Sequence, residues 1–540
     1  MVRSMIERII VEGYRLFQKF ELEPSDGLNI IVGGNEAGKS TLLEAIGLAL
    51  TGRINGRWVE EVLNPYWFNQ QQVTDYFSSL STEAAASPPE ILIELYLSSS
   101  DPDVQLLRGV HNSLKTDAPG VSLHIRPSDD YAVELAEYLA DATRPNILPV
   151  EYYEVQWRDF ADARLHRRPN GLGVAFIDSR TIRSTHGVDH NTREMLTNFM
   201  DAKERAAISV AHRGARQTIS REALNGVNER IAAEGVALYD RTLGLQMDQS
   251  AAAGWEASIV PHVEEVPFAM AGQGQQAAIK VALALNRSAT STAYVLIEEP
   301  ENHLSHTALT RLIDRIQSLA GGRQVFITTH SSYVLNRLGV DRLRLLHAGK
   351  ASAFSDISAE TVGYFRKLSG FDTLRLVLAD KLVLVEGPSD EMLFERAFLD
   401  THDKKPIDAG IDIVSMKGVS FARALELAAA IDHHKVAAIR DNDGKEPEHW
   451  RRPIAEYLAD GKRDLFIGGP ELGSTLEPQV VTANAADEAA LRQALGITDE
   501  STSTEEWMHD HKTGAALRIA DSPTSIVYPE YLVRAIEFVA

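Results

Sequence analysis

The stretch that decides the fold is IVGGNEAGKST, which runs from Ile31 to Thr41. A short apolar run over residues 28–32 precedes it and predicts a buried strand, and residues 40–50 have the pattern of a helix. The glycines between them allow the backbone to turn with its N–H groups directed inward. Strand, glycine-rich loop and helix in this order form the context in which G-x-x-x-x-G-K-S binds phosphate. The sequence therefore predicts a site for a nucleoside triphosphate.

Each residue type of the loop has a part in this site. Lys39 supplies a positive charge near the β- and γ-phosphates, and the Ser40 hydroxyl is suited to bind Mg²⁺. The residues of the loop assigned to ATP binding are Gly33, Asn35, Gly38, Lys39, Ser40 and Thr41.

A second segment, AYVLIEEPENHLSH at residues 293–306, supplies the acidic partner of the loop. Its apolar run predicts a strand that ends at Glu298 and Glu299. Glu298 can hold Mg²⁺ through water, and Glu299 can orient or deprotonate the attacking water, as phosphoryl transfer requires. The alternative is a strand that ends in surface acids. His330 follows a further predicted strand at residues 324–328 and is suited to contact the γ-phosphate, although a single histidine can also be structural.

The segment MAGQGQQ at residues 270–276 precedes a predicted helix at 277–285. It resembles the signature segment of ATP-binding-cassette ATPases, and the N-terminal domain is similar to that superfamily near its SMC and recombination-repair branch. The resemblance implies that Gly272 and Gly274 serve the ATP site of a partner subunit, so a homo-oligomer, a dimer or larger, is expected. The usual signature serine is absent. The superfamily also has a glutamine loop between its first two motifs, and the candidates for its glutamine are Gln70, Gln71 and Gln72.

Two later segments, KLVLVEGPSDE at 381–391 and AAIRDNDGK at 437–445, place carboxylates after buried strands. Asp390 falls in the first helical turn after Glu386 and can face the same point. Strand alternation would put Asp441 and Asp443 on one side. These four carboxylates can hold one or two hard cations, Mg²⁺ or Mn²⁺, through oxygen. The alternative for DNDG is a plain polar turn.

The E-G and D-x-D pair resembles the Toprim domain of primases, topoisomerases and some nucleases. An N-terminal ATPase followed by Toprim resembles the overcoming-lysogenization-defect (OLD) family of nucleases, and the ATPase of the Gabija defence system is similar in layout. The resemblance implies that Glu477 completes the second metal site and that Lys512 stabilises transition-state charge. Glu477 could equally be an acid at a helix start, and Lys512 an exposed helix lysine, since Gly514 stands where the family has an acid.

The predicted fold is α/β, with an ABC/SMC-like P-loop ATPase domain at residues 1–375 and a Rossmann-like Toprim domain at 376–540. A helix-rich insert at about 190–245 is either a surface subdomain or a dimerisation element. Residues 483–506, rich in Ala, Thr, Ser and acids, are expected to form a peripheral insertion.

Composition limits the classes of partner. The formal net charge of −22 excludes a protein coated with DNA-binding charge, but short basic strips at 164–168, 180–183 and 212–216 could contact a DNA backbone or be solvated faces. The sequence has no cysteine and no apolar run long enough to span a membrane. A cytoplasmic protein without membrane contact is expected.

Three functions compete at this point. The favoured one is an ATP-regulated, metal-dependent DNA endonuclease that acts in phage defence or DNA repair, with Glu386, Lys512 and Glu299 as catalytic residues and a possible helicase-type partner. The alternative is a repair or tethering ATPase whose Toprim domain binds DNA without cleaving it. A topoisomerase or primase is disfavoured, because no further catalytic or template-binding region follows Toprim.

Overall fold

The computed structural model describes residues 4–80, 87–141, 143–178, 200–233, 237–238, 241–250, 255, 262–272, 274–276, 279–280, 293–302, 304–320, 322–347, 349–353, 357–368 and 370–540. The chain divides into two compact units. The first comprises residues 1–29 and 40–328, and the second comprises residues 30–39 and 329–540.

The first unit contains most of the strands. They are β1 Met5–Tyr14, β2 Phe17–Leu22, β3 Leu28–Gly33 (which continues into the second unit), β4 Arg53–Ile54, β5 Arg57–Trp58, β6 Ile91–Ser98, β7 Arg108–Gly109, β8 Ala118–Pro127, β9 Tyr153–Asp159, β10 Val174–Asp178, β11 Ala237–Leu238, β12 Arg241–Thr242, β13 His262–Val263, β14 Val266–Pro267, β15 Tyr294–Glu298 and β16 Gln324–Thr328. The α-helices are α1 Lys39–Thr51, α2 Val59–Val62, α3 Gln70–Ser79, α4 Pro102–Gln105, α5 Ala132–Ala140, α6 Ala202–Thr218, α7 Asn225–Ala233 and α8 His306–Ala320.

An antiparallel sheet forms one layer of this unit, in the order β2-β1-β6-β8-β7, with β9 also paired to β8. Residues of β9 alternate between buried and half-buried along the strand, which is the pattern of a sheet with one face on the core. The second set of strands is parallel. β15 pairs with β10 and with β16, and all five residues of β15 are buried. A parallel strand covered on both faces reads as a continuous apolar run, as Tyr294–Ile297 does.

The second unit contains the rest of the chain. Its strands are β17 Leu343–His347, β18 Lys350–Ala353, β19 Lys381–Val385, β20 Ile411–Ser415, β21 Val436–Ile439 and β22 Arg463–Phe466. Its α-helices are α9 Ser332–Leu338, α10 Ala359–Lys367, α11 Thr373–Leu378, α12 Pro388–His402, α13 Phe421–Ala430, α14 Pro447–Arg451, α15 Leu476–Ala483, α16 Glu488–Leu495, α17 Thr504–Asp510, α18 Lys512–Asp521 and α19 Glu530–Val539.

A four-stranded parallel sheet organises the C-terminal half of this unit, in the order β20-β19-β21-β22. The carboxyl ends of parallel strands meet at one edge of a sheet, where ligand sites of open α/β folds form. The residues after β19 and after β21 therefore come close together. Helices α12, α18 and α19 contribute buried side chains to the core beside the sheet, among them Phe394, Ile519 and Ile536.

The expectation that residues 483–506 form a peripheral insertion is wrong. Helix α16 buries Leu491, Ala494 and Leu495 in the core of the sheet domain, together with Met508 of α17. These residues lie on one face of each helix, a spacing hidden by a composition of Ala, Thr, Ser and acids.

Two other features bear on the sequence predictions. The described part of the helix-rich insert contains α6 and α7, whereas residues 179–199 lie outside the described residues. None of the helices in the described ranges combines the length and the apolar character that crossing a bilayer would require.

Candidate nucleotide and metal sites

The glycine-rich loop has the form that phosphate binding requires. Lys39 is 6% exposed, and its Nζ donates to the carbonyl oxygens of Gly33 and Gly34, both at 2.9 Å. A Cβ at Gly33 would lie 2.6 Å from the carbonyl oxygen of Leu346, and Gly38 has a φ of +94°. Both positions need glycine, because a side chain would collide at the first and strain the backbone at the second.

Ser40 and Glu298 meet directly in the first unit. The Ser40 hydroxyl donates a hydrogen bond to the Glu298 carboxylate, and Glu298 is 2% exposed at the end of β15. The serine and the acid predicted to share one Mg²⁺ ion are therefore neighbours.

Glu299 has an unusual backbone for a residue that carries a side chain. Its φ is +45°, its N–H donates to the carbonyl of Thr328 at 3.0 Å, and Asn302 Nδ2 donates to its carboxylate at 2.8 Å. A left-handed conformation in a non-glycine residue costs free energy and is found preferentially at functional sites. The turn fixes the Glu299 carboxylate, as a group that positions water must be fixed.

The other predicted ATP residues are placed as follows. His330 is exposed just after β16, Asn35 is exposed in the loop, and Thr41 is buried in α1. Gly272 is exposed, and Gly274 begins a helical stretch at residues 274–276. Most of the predicted helix at 277–285 lies outside the described residues. Gln70, Gln71 and Gln72 form the first turn of α3.

Glu386 and Asp390 belong to a strand–turn–helix segment of the second unit. β19 ends at Val385, Gly387 precedes α12, and the Asp390 carboxylate accepts the Gly387 N–H at 3.0 Å. This bond satisfies a donor at the start of the helix and places Asp390 back toward the strand end. The local structure matches the prediction that both acids face one point.

The DNDG turn is held by its central asparagine. Asn442 is 0% exposed, and its Nδ2 donates to the carbonyls of Gly468 at 3.0 Å and Gly473 at 2.8 Å. Its Oδ1 accepts the Gly444 N–H at 2.7 Å. The DNDG segment is a turn, as the alternative of a polar turn predicted. The turn fixes Asp441 beside the end of β19.

Four acids share this site. Burial raises the pKa of Asp441 to about 8, and the negative charges of Asp390, Glu386 and Glu477 add to the effect. Burial also raises the pKa of Asp390 to about 6 and the pKa of Glu386 above its usual range. Like charges held together in a buried place favour protonation or a bound cation. The structure thus brings together predicted metal ligands from three separate segments.

The donor types of this cluster suit a hard divalent cation, although the carboxylates do not enclose one ion at their present spacing. Asp441 Oδ1 is buried and has no hydrogen-bond partner among the described residues, so an acceptor is available to a ligand. Carboxylate oxygens are the ligands that Mg²⁺ and Mn²⁺ prefer. In the part of the chain that the structure describes, no three acidic or histidine side chains converge closely enough to enclose one ion.

Glu477 and Lys512 are neighbours at this site. Lys512 Nζ lies 3.9 Å from Glu477 Oε2, and Thr475 Oγ1 donates to the same oxygen at 2.8 Å. Glu477 is buried in the first turn of α15, whereas the Lys512 side chain is half exposed at the start of α18. The acid is therefore the more enclosed member of the pair.

The expectation that strand alternation puts Asp443 on the side of Asp441 is wrong. β21 ends at Ile439, so alternation no longer applies two residues later, and Asp443 has a φ of +50°. Its side chain is 52% exposed and accepts from Arg440 Nη2 at 3.0 Å. Arg440 Nη2 also lies 3.4 Å from Glu386 Oε1, so Asp443 is linked to the acids through a guanidinium.

Three residues of the site were not predicted. Arg440 lies between two of the acids, Trp450 packs 3.5 Å from its guanidinium carbon, and Tyr531 of α19 is fully buried near them. Burial and the charges of Asp441, Asp390, Glu386 and Glu477 raise the pKa of Tyr531 well above its usual value. Arg440 directly precedes D-x-D and could have been noticed. The other two come from distant segments with no motif.

Comparison with known protein families gives three matches. Residues 8–75 match an AAA domain, and residues 260–336 match an AAA domain described as a putative AbiEii toxin of a type IV toxin–antitoxin system. Residues 377–443 match the Toprim domain of overcoming-lysogenization-defect-like proteins. The matched segments contain the glycine-rich loop, the acidic pair at 298–299 and the strand–turn–helix of Glu386.

Individual proteins and solved structures are also similar to parts of the chain. The endonuclease GajA of Bacillus cereus (strain VD045) is 20% identical over 462 residues, which cover 80% of this chain and 72% of that protein. The Rad50 double-strand break repair ATPase of Methanopyrus kandleri is 51% identical over 49 residues, 9% of this chain and 6% of that protein. Among solved structures, the C-terminal region of the Burkholderia pseudomallei OLD protein aligns over 30% of this chain and 97% of its own, with 18% identity and a TM-score of 0.23.

Proposed function

Because the chain joins AAA-type ATPase sequence to an OLD-like Toprim domain, as its motifs predicted, we propose that it is a DNA endonuclease that depends on divalent metal and is regulated by ATP. The observation that carries the proposal is the acid cluster after β19 and β21. Asp441 has a buried oxygen with no hydrogen-bond partner in the part of the chain that the structure describes, and the charges of Asp390, Glu386 and Glu477 act on it. Carboxylates this close disfavour the ionised state unless a cation binds, which supports a cation-binding role over a purely structural one.

In this proposal Glu386, Asp390, Asp441 and Glu477 hold one or two Mg²⁺ or Mn²⁺ ions, with Asp443 at the edge of the site. The ions, when bound, would activate water and stabilise charge on a phosphodiester. Lys512 supplies a positive charge 3.9 Å from Glu477 and would stabilise the charge that develops in the transition state. An ammonium cannot ligate a cation, so the two roles are separable by mutation.

The ATPase part has its own division of work. Lys39 and the loop N–H groups would bind phosphates, and Ser40 with Glu298 would hold Mg²⁺. Glu299, fixed by Asn302, would orient the attacking water. Gly272, Gly274 and His330 complete the proposed ATP contacts. The segments that bind ATP are distinct from the segments that carry the nuclease acids, so ATP would regulate cleavage rather than take part in it.

The test is nicking of supercoiled plasmid with Mg²⁺ or Mn²⁺, with and without ATP, beside phosphate release from ATP. Glu386→Ala and Asp441→Ala should abolish nicking and leave phosphate release unchanged. Lys512→Ala should lower nicking while metal affinity stays nearly intact. Asp412→Ala is the matched control, because Asp412 is a carboxylate of the neighbouring strand β20 that pairs with Arg375 instead.

Undiminished nicking in both acid variants would show that the nuclease site lies elsewhere. DNA binding without any nicking by the wild-type protein would favour the alternative, a repair or tethering ATPase. If nicking is faster with ATP than without it, ATP activates cleavage. If nicking is slower with ATP, ATP restrains cleavage.

We also propose that the protein acts as a homo-oligomer, a dimer or larger, with a possible helicase-type partner. In ATP-binding-cassette ATPases the signature segment serves the ATP site of a neighbouring subunit. Gly272 and Gly274 belong to the segment of this chain that resembles it. Light scattering at micromolar concentration, with and without ATP, should give at least twice the mass of one chain. A single-chain mass under both conditions would overturn the oligomer.

A further inference from the structure

A cavity of about 400 Å³ lies beside the acid cluster, and Glu386 and Arg440 form part of its wall. Much of the rest is apolar, with side chains of Val419, Phe421, Trp450 and Ile454. A volume of about 300–1,000 Å³ is usual for a site that takes a small organic group. The cavity borders the proposed nuclease site, since Glu386 belongs to both.

Arg440 is held in a fixed position at this cavity. Its guanidinium carbon lies 3.5 Å from the centre of the Trp450 ring, and its Nε donates to the carbonyl of Asp441 at 3.1 Å. The Trp450 indole N–H in turn donates to the carbonyl of Asn442 at 2.9 Å. The buried turn that fixes Asp441 therefore fixes Trp450 as well, and Trp450 positions the guanidinium.

The Arg440 guanidinium can donate further hydrogen bonds. Nη2 is engaged with Asp443 and Glu386, whereas Nη1 has no hydrogen-bond partner among the described residues. Lys445 adds a second positive charge, with its Nζ 4.9 Å from the Trp450 ring centre. A planar guanidinium that is held by stacking and has donors available is the side chain that binds phosphate best.

Apolar and aromatic walls beside the guanidinium of Arg440 fit a nucleotide. A nucleotide has a flat base that packs on aromatic rings and a phosphate that pairs with arginine. Binding of a lipid or a peptide would not explain why Glu386, a proposed metal ligand, forms part of the wall. A nucleotide of a DNA strand, in contrast, must lie beside the metal site when the next phosphodiester is cut.

We propose that this cavity is the subsite for one nucleotide of the DNA strand that is cleaved, with Arg440 binding its phosphate and the aromatic wall at Phe421 receiving its base. The proposal rests on the proposed nuclease function and adds three residues to it, namely Arg440, Phe421 and Trp450. Trp450 acts through Arg440 and is a positioning residue.

The experiment uses the full chain with ADP added to fill the ATP site and Ca²⁺ as the metal. Titration calorimetry compares thymidine 5′-monophosphate with deoxyribose 5-phosphate, which has the phosphate but no base. The wild-type protein should prefer the nucleotide by about tenfold, the effect of stacking one base on an aromatic wall. Phe421→Leu should remove this preference, and Arg440→Lys should weaken the binding of both probes.

Two matched controls test the same substitutions outside the cavity. Arg375→Lys changes an arginine that is paired with Asp412, and Phe538→Leu changes a ring that packs on Phe466. Both controls should bind the two probes as the wild-type protein does. In plasmid nicking, Arg440→Lys and Phe421→Leu should raise KM about tenfold with kcat within about threefold, and ATP turnover should not change.

The outcomes separate the two proposals. Normal nicking with no nucleotide preference, or with unchanged KM in both cavity variants, would overturn the subsite and leave the nuclease intact. A nucleotide preference that depends on Arg440 and Phe421 in a protein that nicks no DNA would overturn the nuclease and leave a nucleotide-binding cavity. Loss of kcat together with Ca²⁺ affinity in Arg440→Lys would show that Arg440 only supports the acids.

Discussion

At the scale of single residues, the most informative one is Glu299. Its left-handed backbone and its bond from Asn302 fix a carboxylate at the end of a buried strand. Glutamine keeps the size and the hydrogen bond but cannot accept a proton. Glu299→Gln should therefore retain ATP binding and lose turnover by about 100-fold or more, the usual effect of removing a general base.

Binding of a fluorescent ATP analogue beside phosphate release would check this prediction. Lys39→Ala is the comparison, since it removes a phosphate contact from a preformed loop and should reduce binding and turnover together. If Glu299→Gln loses binding as well, the residue has a structural role at the turn.

Single residues also show where sequence reasoning was sufficient. The position of Glu386 and Asp390 followed from a buried strand, a glycine and a helix start, which are local features. The position of Asp443 did not, because alternation was extended past the end of β21. Trp450 and Tyr531 reach the site from α14 and α19, and only tertiary structure could bring them there.

At the scale of elements, apolar runs were a reliable guide. The strand predicted at 324–328 has the bounds of β16, and the apolar runs before the two carboxylate segments form β19 and β21. Their burial on both faces produces an unbroken apolar stretch that few other structures share. Helices α16 and α17 were misjudged, because their few large apolar residues are spread among small and acidic ones.

Leu491 tests how far α16 belongs to the core. It is 0% exposed, so Leu491→Ala should lower the free energy of unfolding of the sheet domain by about 2–5 kcal/mol. Leu517→Ala is the matched control, because this leucine of α18 is 52% exposed and its loss should cost about 0.5 kcal/mol or less. Urea unfolding followed by tryptophan fluorescence measures both. If both substitutions lower the free energy of unfolding by the same small amount, residues 483–506 form a peripheral insertion after all.

At the scale of the whole molecule, stability should depend on pH through a buried histidine. Burial, with a smaller effect of His434, lowers the pKa of His433 to about 4. An unfolded chain has the usual histidine pKa of about 6.5, so it takes up the proton first as pH falls. The contribution of His433 to stability is therefore constant above about pH 6.5 and decreases between about pH 6.5 and pH 4, by at most about 1.4 kcal/mol per pH unit.

His433→Gln removes the titration and keeps an acceptor for the N–H of Lys435, which His433 Nδ1 receives at 3.2 Å. Thermal unfolding at pH 7.5 and at pH 5.0 should show a smaller loss of stability in the variant than in the wild-type protein. The same loss in both proteins would assign the acid sensitivity to other groups.

The ion pairs of Arg440 with Glu386 and Asp443 have a consequence for storage and reversibility. The acid site contains its own counterion, and the raised pKa of Asp441 leaves that group largely protonated near neutral pH. Chelation should therefore switch the protein off without unfolding it, unlike a small domain whose folding depends on its metal. Circular dichroism in EDTA should match that in Mg²⁺, and nicking should return when the ion is restored. An inactive but folded form would then be a normal resting state of the molecule, set by the supply of ions around it.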